Sequence, residues 1–269
     1  MEINQCKIIL TGAASGIGRA LLAQLNNYDV QILAVDKNRE QLAETISSLP
    51  TGSAKIASFI CDLAQHQAVD EMFQQAINTM GQVDIFLANA GFAYYEKIEG
   101  ADWQHIEKIF QVNVFSAIYA LEKMAQLNHQ RKHYVVMTAS GMSKIAIPGY
   151  TLYSATKGAL DRFAEGYRFE KNALGRLALV YPIATKTKFF EHAGSQTPIP
   201  WPAQQPEDVA RAIIRGIAKN KEQIYPSKIF QAIYCLSKIF PFITLIYQKV
   251  EVFKFKNWLQ KASGNQIKV

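Results

Sequence analysis

Tyr153 and Lys157 are four residues apart, so on a helix their side chains share one face. A lysine ammonium beside a phenol lowers the pKa of the phenol, which can then act as an acid or a base near neutral pH. The spacing alone decides little, because the 269-residue chain contains three further Tyr-x-x-x-Lys pairs that suit an amphipathic helix surface. They are Tyr119/Lys123, Tyr167/Lys171 and Tyr234/Lys238.

Ser140 distinguishes Tyr153 from the other tyrosines. It follows the apolar run at residues 134–138 and precedes Tyr153 by 13 residues, so a strand, a loop and the start of a helix can bring the two side chains together. Ser154 precedes Tyr167 by the same interval, but both would lie in one helix, roughly 20 Å apart. We therefore predict that Ser140 and Tyr153 contact the same substrate oxygen.

A glycine-rich turn follows the apolar run at residues 7–11. Residues 12–18 read Gly-Ala-Ala-Ser-Gly-Ile-Gly and lead into a helical segment. Such glycines permit a sharp bend and let a pyrophosphate approach the backbone, while the helix N-terminus presents N–H groups to the anion. An ordinary tight turn is the alternative, but the position after the first strand favours a nucleotide site. The residues predicted to hold the nucleotide here are Gly12, Ser15, Gly16, Ile17 and Gly18.

Asp36 ends the second apolar run, 24 residues after Gly12. An acidic residue at this point can bind the ribose 2′-hydroxyl of NAD and would repel the 2′-phosphate of NADP. This position predicts NAD as the cofactor. Lys37 and Arg39 lie nearby and keep NADP open, and a solvated aspartate at a strand end is the simpler alternative.

The elements that must position these residues alternate along the chain. Apolar or β-branched runs predict strands at residues 7–11, 30–35, 55–61, 83–88, 134–138, 177–181 and 223–225. Helical spacing predicts helices at residues 18–27, 39–49, 69–80, 101–127 and 152–174. The strands have the composition of strands buried on both faces, and their alternation with helices predicts an α/β fold with a doubly wound parallel sheet.

Composition and charge exclude several classes of protein. Of the net charge of +7, six units lie in residues 221–269, so the part that carries the candidate site is nearly neutral, which disfavours nucleic acid as a partner. Three scattered cysteines, Cys6, Cys61 and Cys235, suit neither a disulfide framework nor a metal site. The N-terminus lacks a signal-peptide pattern and no 18-residue apolar run occurs, so we expect a cytoplasmic protein.

The order of these motifs resembles the short-chain dehydrogenase/reductase family over about residues 7–220. Residues 11–18 match its TGxxxGxG cofactor motif, and Asp62 matches the residue that contacts the adenine. Asn89, Ala90 and Gly91 match the family's NAG motif, which borders the cofactor. Asn113, Ser140, Tyr153 and Lys157 match its catalytic tetrad.

The resemblance implies a Rossmann-like fold and an NAD(P)-dependent oxidoreductase that interconverts a secondary alcohol and a ketone without a metal. Ser140 would hold the substrate oxygen and Tyr153 would exchange a proton with it. Lys157 would lower the pKa of Tyr153 and hydrogen-bond the nicotinamide ribose, and Asn113 would hold a water in a proton relay to Lys157. A homodimer or homotetramer is also implied, with the helices that begin near residues 101 and 152 at the interface.

The loop after the sixth strand departs from the family pattern. The family has PGxxxT there, and this chain has Pro182 and Thr187 in the matching positions but Ile183 in place of the glycine. The backbone at Ile183 must therefore avoid positive φ. Pro182 and Thr187 remain predicted cofactor contacts, with Thr187 next to the nicotinamide amide.

The segment at residues 188–205 covers the substrate in the family. Its large aromatic residues are Phe189, Phe190 and Trp201. They either line an apolar pocket for a carbonyl or alcohol substrate or pack on one another, and the sequence leaves both open.

The C-terminal part departs most from compact family members. We predict a catalytic domain at residues 1–227 and a helical, apolar and lysine-rich extension at residues 228–269. Residues 228–256 suit a helix that lies in a membrane interface, which would place the protein peripherally on the inner membrane face. Lys238 and Pro241 argue against a spanning helix, and packing over the substrate mouth or a partner subunit is the alternative.

Two other functions compete with the oxidoreductase. Ser140 lacks the Gly-x-Ser-x-Gly context of a serine hydrolase, since residues 138–142 read Thr-Ala-Ser-Gly-Met. A non-catalytic dinucleotide-sensing protein is the stronger alternative. Such a protein would typically lack the tyrosine or the lysine, and both are present.

Overall fold

A seven-stranded parallel sheet forms the centre of the computed structural model, which describes residues 1–99, 102–171, 173–194 and 196–266, with side chains to residue 261. The strands are β1 (Lys7–Thr11), β2 (Gln31–Asp36), β3 (Lys55–Ile60), β4 (Ile85–Ala88), β5 (His133–Thr138), β6 (Gly175–Val180), β7 (Ala184–Thr185), β8 (Ala203–Gln204) and β9 (Gln223–Ile224). The order across the sheet is β3-β2-β1-β4-β5-β6-β9, and β7 and β8 form a separate parallel pair. The order reverses between β1 and β4, where open α/β sheets bind their ligands.

Helices cover both faces of the sheet. They are α1 (Gly16–Leu25), α2 (Arg39–Ser47), α3 (His66–Met80), α4 (Trp103–Phe110), α5 (Ser116–Leu127), α6 (Thr151–Glu170), α7 (Phe189–Ala193), α8 (Pro206–Ala218), α9 (Lys228–Ser237) and α10 (Phe242–Gln266). Ile8 and Leu10 of β1 pack with α1, α2 and α8, whereas Ile9 packs with α3, α5 and α6. This alternation within strands buried on both faces gives the doubly wound Rossmann-like fold predicted from the sequence.

Two predicted helices differ from the structure in ways that bear on the site. The helix predicted at residues 101–127 is divided, because residues Gln111–Phe115 form a π-helical turn between α4 and α5; residue 101 lies outside the described residues. The helix predicted at 152–174 ends at Glu170, since Lys171 has an extended backbone with φ −62° and ψ 149°. The spacing of hydrophobic residues does not reveal an inserted π turn, because the apolar positions continue on both sides of it.

The C-terminal helices α9 and α10 pack on the sheet's carboxyl end. Tyr247, Phe255 and Trp258 of α10 lie against a third core cluster that includes Tyr150 and Tyr153. Among the described residues, no single helix is long and apolar enough to cross a membrane. Residues Lys228–Ser237 and Phe242–Lys261 pass that criterion only as a pair, and the two helices are bent by 116°.

Candidate active site

The glycine turn between β1 and α1 has the shape that a bound pyrophosphate needs. Gly12 and Gly16 have positive φ, at 68° and 51°. A Cβ atom on Gly18 would lie 1.8 Å from the main-chain oxygen of Gly12, so the turn folds directly onto the start of α1. The first turn of α1 has no acidic residue, and the side chain of Ser15 at the N-cap makes no capping hydrogen bond. The free N–H groups near Ile17 are therefore available to an anion.

Thr11 and Asn89 fasten this turn to the end of β4. The main-chain N–H groups of Asn89 and Ala90 both donate to Thr11 Oγ1 at 3.1 Å. Asn89 Nδ2 donates to the main-chain oxygen of Thr11 at 3.2 Å. A Cβ atom on Gly12 would lie 2.9 Å from Ala90 Cα, so the two segments are in direct contact. These bonds explain why an asparagine and small residues follow β4.

Gly91 connects the nucleotide end of the cleft to its catalytic end. A Cβ atom on Gly91 would lie 3.1 Å from Asn113 Oδ1 and 3.4 Å from Lys157 Nζ. A larger side chain would therefore crowd two members of the predicted tetrad.

The two acidic residues predicted to contact the adenosine half of the cofactor differ in their exposure to solvent. Asp36, half-buried at the end of β2, accepts hydrogen bonds at 3.0 Å from the N–H groups of Ala14 and Asn38. Its carboxylate therefore lies beside the glycine turn and keeps lone pairs for a ribose hydroxyl. Asp62 is exposed and accepts from the N–H of Ala64 at 3.1 Å.

The loop after β6 closes over the glycine turn. A Cβ atom on Gly16 would lie 3.1 Å from Thr187 Cγ2, which puts Thr187 against the predicted pyrophosphate turn. The main-chain oxygen of Pro182 accepts a hydrogen bond from Gly141 N at 2.7 Å. Ile183 is not among the positive-φ residues of the described chain, so the loop accommodates a β-branched residue without backbone strain.

Ser140, Tyr153 and Lys157 meet at the carboxyl end of β5. Ser140 follows the strand and forms a hydrogen bond with Tyr153, which is 8% exposed on α6. Lys157, one helical turn further, is 3% exposed, and its Nζ lies 5.6 Å from the centre of the Tyr153 ring. The Nζ atom donates to the main-chain oxygen of Thr138 at 2.7 Å. The strand–loop–helix path expected from the sequence therefore brings all three side chains together.

Burial is the largest influence on the pKa values of Tyr153 and Lys157. Burial raises the pKa of Tyr153 to about 12, and the hydrogen bond with Ser140 acts in the opposite direction. Burial also lowers the pKa of Lys157 to about 7. The expected lowering of the Tyr153 pKa by Lys157 stays a prediction. Removal from water disfavours both charged forms, and the lysine donates to a carbonyl instead of to the phenol.

Asn113 lies in the π-helical turn, where its side chain fixes the segment after β4. Its Nδ2 donates to the main-chain oxygen of Phe92 at 2.9 Å and to Thr156 Oγ1 at 3.1 Å. Its Oδ1 accepts from Phe92 N at 3.0 Å. The side chain thus ties α6 to the segment that begins at Gly91. The water-holding role implied by the resemblance stays a prediction.

Aromatic side chains surround Tyr153 on the side away from the glycine turn. Phe189 makes an edge contact with it, with the ring centres 5.4 Å apart, and Phe190 lies 6.2 Å from Tyr150. The ring centres of Phe189 and Phe190 lie 5.4 Å apart, as expected if the aromatic residues pack on one another. That they line a substrate pocket stays a prediction. Trp201 is 77% exposed and does not join this cluster, so neither alternative left open by the sequence describes it.

One group of residues in the site has no counterpart in the sequence predictions. Lys144 and Asp161 form a buried ion pair beside the turn that carries Ser140. Asp161 follows Lys157 by one helical turn on the buried face of α6, and this spacing is the sequence signal that identifies it.

Comparisons with known proteins identify the family. The short chain dehydrogenase family model matches residues 7–198. The chain belongs to this family. It is 24% identical over 252 residues to estradiol 17-beta-dehydrogenase 11 of Rattus norvegicus, covering 91% of this chain and 84% of the relative. It is 28% identical over 243 residues to epidermal retinol dehydrogenase 2 of Mus musculus, covering 88% and 79%.

Solved structures share the fold. A short chain dehydrogenase/reductase from Burkholderia phymatum in complex with NAD superposes with a TM-score of 0.80 at 18% identity, covering 88% of this chain and 94% of that one. A short-chain dehydrogenase from Sphingobium yanoikuyae in complex with NADPH has a TM-score of 0.74 at 18% identity, covering 83% and 88%. This short chain dehydrogenase is an NAD(P)-dependent oxidoreductase that interconverts an alcohol and a carbonyl group.

Proposed function

We propose that Ser140, Tyr153 and Lys157 carry out the reaction on a secondary alcohol or ketone. Ser140 donates a hydrogen bond to the substrate oxygen and fixes its position. Tyr153 gives that oxygen a proton during reduction and removes one during oxidation. Lys157, with a pKa of about 7, exchanges protons with solvent near neutral pH and returns Tyr153 to its working state. Asn113 completes this relay through a water.

The observation that carries the proposal is the convergence of these groups from three elements. The hydroxyl of Ser140 lies after β5, Tyr153 and Lys157 project from α6, and Gly91 brings the segment after β4 against Lys157. The other Tyr-x-x-x-Lys pairs lack such a setting. Lys123, for example, pairs with the exposed carboxylate of Asp70 on the surface.

The cofactor is proposed to lie across the glycine turn, with the nicotinamide toward Thr187. When bound, the nicotinamide supplies or accepts the hydride. Lys157 would hydrogen-bond its ribose, and Pro182 would border the ring. Asp36 would accept from the adenosine ribose, which favours NAD, and Asp62 would contact the adenine. The residues proposed to line this cradle are Gly12, Ser15, Gly16, Ile17, Gly18, Asn89, Ala90 and Gly91.

The substrate is proposed to be a bulky apolar alcohol or its ketone. Tyr95, Tyr150, Phe189 and Phe190 present aromatic rings around Tyr153 and few charges. Two relatives are named for estradiol and retinol, which are large apolar alcohols. This supports an apolar substrate class without choosing a molecule.

Hydride transfer followed by nicotinamide absorbance tests this proposal. The purified protein would be offered NAD with a panel of apolar secondary alcohols, and NADH with the matching ketones. We expect turnover of at least one pair, abolished in Tyr153→Phe. Cofactor binding without turnover of any of these compounds would point instead to a dinucleotide sensor.

We also propose that the protein assembles as a homodimer or homotetramer through the outer faces of α4 to α6. Trp103, Phe115 and Phe169 are 77%, 56% and 90% exposed there. A Cβ atom on Gly158 or Gly166 would meet nothing within 4 Å, so the outer face of α6 is smooth enough for close helix packing.

Residues 228–269 are proposed as an extension of the catalytic domain at residues 1–227, with a membrane-facing outer surface. Eleven large apolar residues between 229 and 253 are at least 36% exposed. Together these residues form what is here called the apolar face: Ile229, Ile233, Leu236, Ile239, Phe240, Phe242, Leu245, Ile246, Val250, Val252 and Phe253. The flanking lysines Lys228, Lys238, Lys249, Lys254 and Lys256 suit anionic lipid. The protein would then lie peripherally on the inner membrane face.

A further inference from the structure

A buried ion pair joins the turn that carries Ser140 to the helix that carries Tyr153. Lys144 Nζ lies 2.8 Å and 2.6 Å from the two carboxylate oxygens of Asp161. The two side chains are 9% and 7% exposed. Tyr181 at the end of β6 donates its hydroxyl to Asp161 Oδ1 at 2.7 Å. Burial alone would raise the pKa of Asp161, but the hydrogen bonds from Lys144 and Tyr181 outweigh it and lower the pKa.

The pair lies where three parts of the proposed active site meet. Lys144 follows Ser140 by four residues, and Asp161 follows Lys157 by four residues on α6. Tyr181 directly precedes Pro182, the first residue of the loop over the glycine turn. One carboxylate therefore receives hydrogen bonds from the serine turn and from the end of β6 while it is carried by the catalytic helix.

The turn between Ser140 and Lys144 is closed by hydrogen bonds within the turn itself. Met142 N donates to Ser140 Oγ at 3.1 Å, and Lys144 N donates to Gly141 O at 3.0 Å. Gly141 N reaches Pro182 O at 2.7 Å. Such a compact turn moves as a unit, so the anchoring of Lys144 also determines where the Ser140 hydroxyl lies relative to Tyr153.

The C-terminal extension packs on the outside of this turn. A Cβ atom on Gly141 would lie 3.1 Å from the tip of the Phe230 ring on α9. Lys144 Nζ lies 4.7 Å from the ring centre of Tyr181 and 5.6 Å from that of Tyr234, so the ammonium sits between two aromatic rings. The extension thereby shields the ion pair from water.

A buried ion pair contributes little to the stability of a protein by itself. Burying two charges costs desolvation energy, and apolar residues of similar volume often stabilise a protein equally well. What a charged, hydrogen-bonded pair adds is a defined geometry. The pair does not itself reach the substrate oxygen in the proposed reaction, because both carboxylate oxygens are already engaged by Lys144 and Tyr181.

We propose that Lys144 and Asp161 are positioning residues, which hold the Ser140 hydroxyl in line with Tyr153. This inference rests on the catalytic roles proposed above. A displacement of about 1 Å in a reacting group can cost about 100-fold in rate. Loss of the pair should therefore lower kcat more than it raises KM for the cofactor.

The chain offers a matched control. Lys123, Asp70 and Tyr119 form the same three-residue arrangement on the surface, with Lys123 Nζ 2.5 Å from Asp70 Oδ1 and the Tyr119 hydroxyl 2.9 Å from the same oxygen. Lys123→Met therefore makes the same substitution as Lys144→Met, but in an equivalent ion pair that lies outside the site.

The experiment compares Lys144→Met, Lys144→Arg and the double variant Lys144→Met/Asp161→Leu with Lys123→Met in the full chain. Amide hydrogen exchange at residues 140–146, thermal unfolding, kcat and KM are measured. We expect faster exchange at 140–146 and a kcat lower by roughly 10- to 100-fold in Lys144→Met. Lys144→Arg should restore most of the rate, and Lys123→Met should match the wild type. The double variant leaves no buried lone charge, so it should fold and still react slowly.

Two results would overturn the inference. One is unchanged exchange at 140–146 in the folded double variant. The other is a kcat in that variant equal to that of the wild type. Tyr153→Phe distinguishes failure of the positioning role from failure of the proposed function. If Tyr153→Phe is inactive while the double variant is fully active, only the positioning role is wrong. If the wild type turns over nothing, the proposed function fails, and the hydrogen exchange still decides whether the pair fixes the turn.

Discussion

Lys157 Nζ donates a hydrogen bond to the main-chain oxygen of Thr138 at 2.7 Å, two residues before Ser140. The lysine therefore ties α6 to the end of β5 from inside the protein. Lys157 is buried and Thr138 is half-buried, so water does not easily replace this bond, and burial lowers the pKa of Lys157 to about 7. The same burial that positions the ammonium thus makes its proton easy to lose near neutral pH.

The lowered pKa of Lys157 predicts how stability changes with pH. An exposed lysine has a pKa of 10.5, against about 7 in the folded protein. Between these values the unfolded chain binds more protons, so the free energy of unfolding rises with pH by up to about 1.4 kcal/mol per unit. Above about pH 9 the buried thiols of Cys6 and Cys61 act in the opposite direction, because burial raises their pKa values.

Thermal and denaturant unfolding between about pH 7 and about pH 8.5, without added cofactor, would measure this slope. We expect a steeper rise for the wild type than for Lys157→Met. Lys123→Met, which removes a surface lysine, should keep the wild-type slope. Equal slopes for wild type and Lys157→Met would contradict the prediction.

Tyr153→Phe should abolish turnover while the cofactor still binds. The substitution removes one hydroxyl from a buried ring and leaves the glycine turn intact, so the proton transfer is lost without the cradle. We expect kcat to fall by at least about 100-fold. The dissociation constant of NADH, measured by its fluorescence, should change little. Tyr119→Phe, in another Tyr-x-x-x-Lys pair, is the control, and activity of Tyr153→Phe within about tenfold of wild type would refute the assignment.

The sheet was predictable because each of its long strands is an apolar run followed by turn or capping residues. β1 has the predicted bounds, and the others differ by one or two residues at their ends. The meeting of Ser140 and Tyr153 was also predictable, since a strand, a short loop and a helix start leave few other paths. These features depend on local sequence and on the general rules for parallel sheets.

The features that sequence reasoning missed depend on contacts between distant residues. The π turn at Asn113 is set by hydrogen bonds to Phe92 and Thr156, and neither partner is close in sequence. The pKa values of Tyr153 and Lys157 follow from how much protein covers them, which spacing does not encode. The ion pair of Lys144 with Asp161 joins residues 17 apart on different elements.

Asp36 should make the protein prefer NAD. Two substitutions separate the effect of its negative charge from the effect of its hydrogen bond with Ala14. Asp36→Asn keeps an acceptor for the N–H of Ala14 but removes the negative charge, whereas Asp36→Ala removes both. We expect the preference for NAD over NADP to fall by roughly tenfold or more in both variants, because a charge at contact distance from a phosphate is removed. Asp36→Ala should also weaken NAD binding.

Isothermal titration with both cofactors would measure these changes. Lys37 and Arg39 are exposed next to Asp36, and either can reach a 2′-phosphate. A wild-type protein that binds NADP more tightly than NAD would show that these cations outweigh the carboxylate.

The proposed dimer predicts a mass of about twice the chain in light scattering at micromolar concentration. Ala155→Arg adds a charged side chain to the exposed face of α6 and should release monomers. Ala43→Arg, the same change at an exposed position of α2, should leave the mass unchanged. A monomeric wild type would refute the proposal. If both variants keep the wild-type mass, the interface does not include the exposed face of α6.

The apolar face of α9 and α10 predicts binding to anionic membranes. Its residues lie on the outside of a bent helix pair whose inner side contacts the active-site cluster, so packing over the site and membrane contact do not compete for the same side chains. Burial of one large aliphatic side chain contributes about 1.5–3 kcal/mol. Ile246→Glu should therefore lower vesicle binding by at least about tenfold.

Co-sedimentation with phosphatidylcholine vesicles, with and without phosphatidylserine, measures this binding in the full chain. Ile199→Glu is the matched control, because Ile199 is 51% exposed outside the extension and Ile246 is 59% exposed within it. We expect the wild type and Ile199→Glu to pellet with the anionic vesicles and to release at high salt, since the lysines contribute through a screened attraction. Negligible binding by the wild type, or equal binding by Ile246→Glu, would mean that the apolar face is not a lipid surface and would favour a partner subunit as its cover.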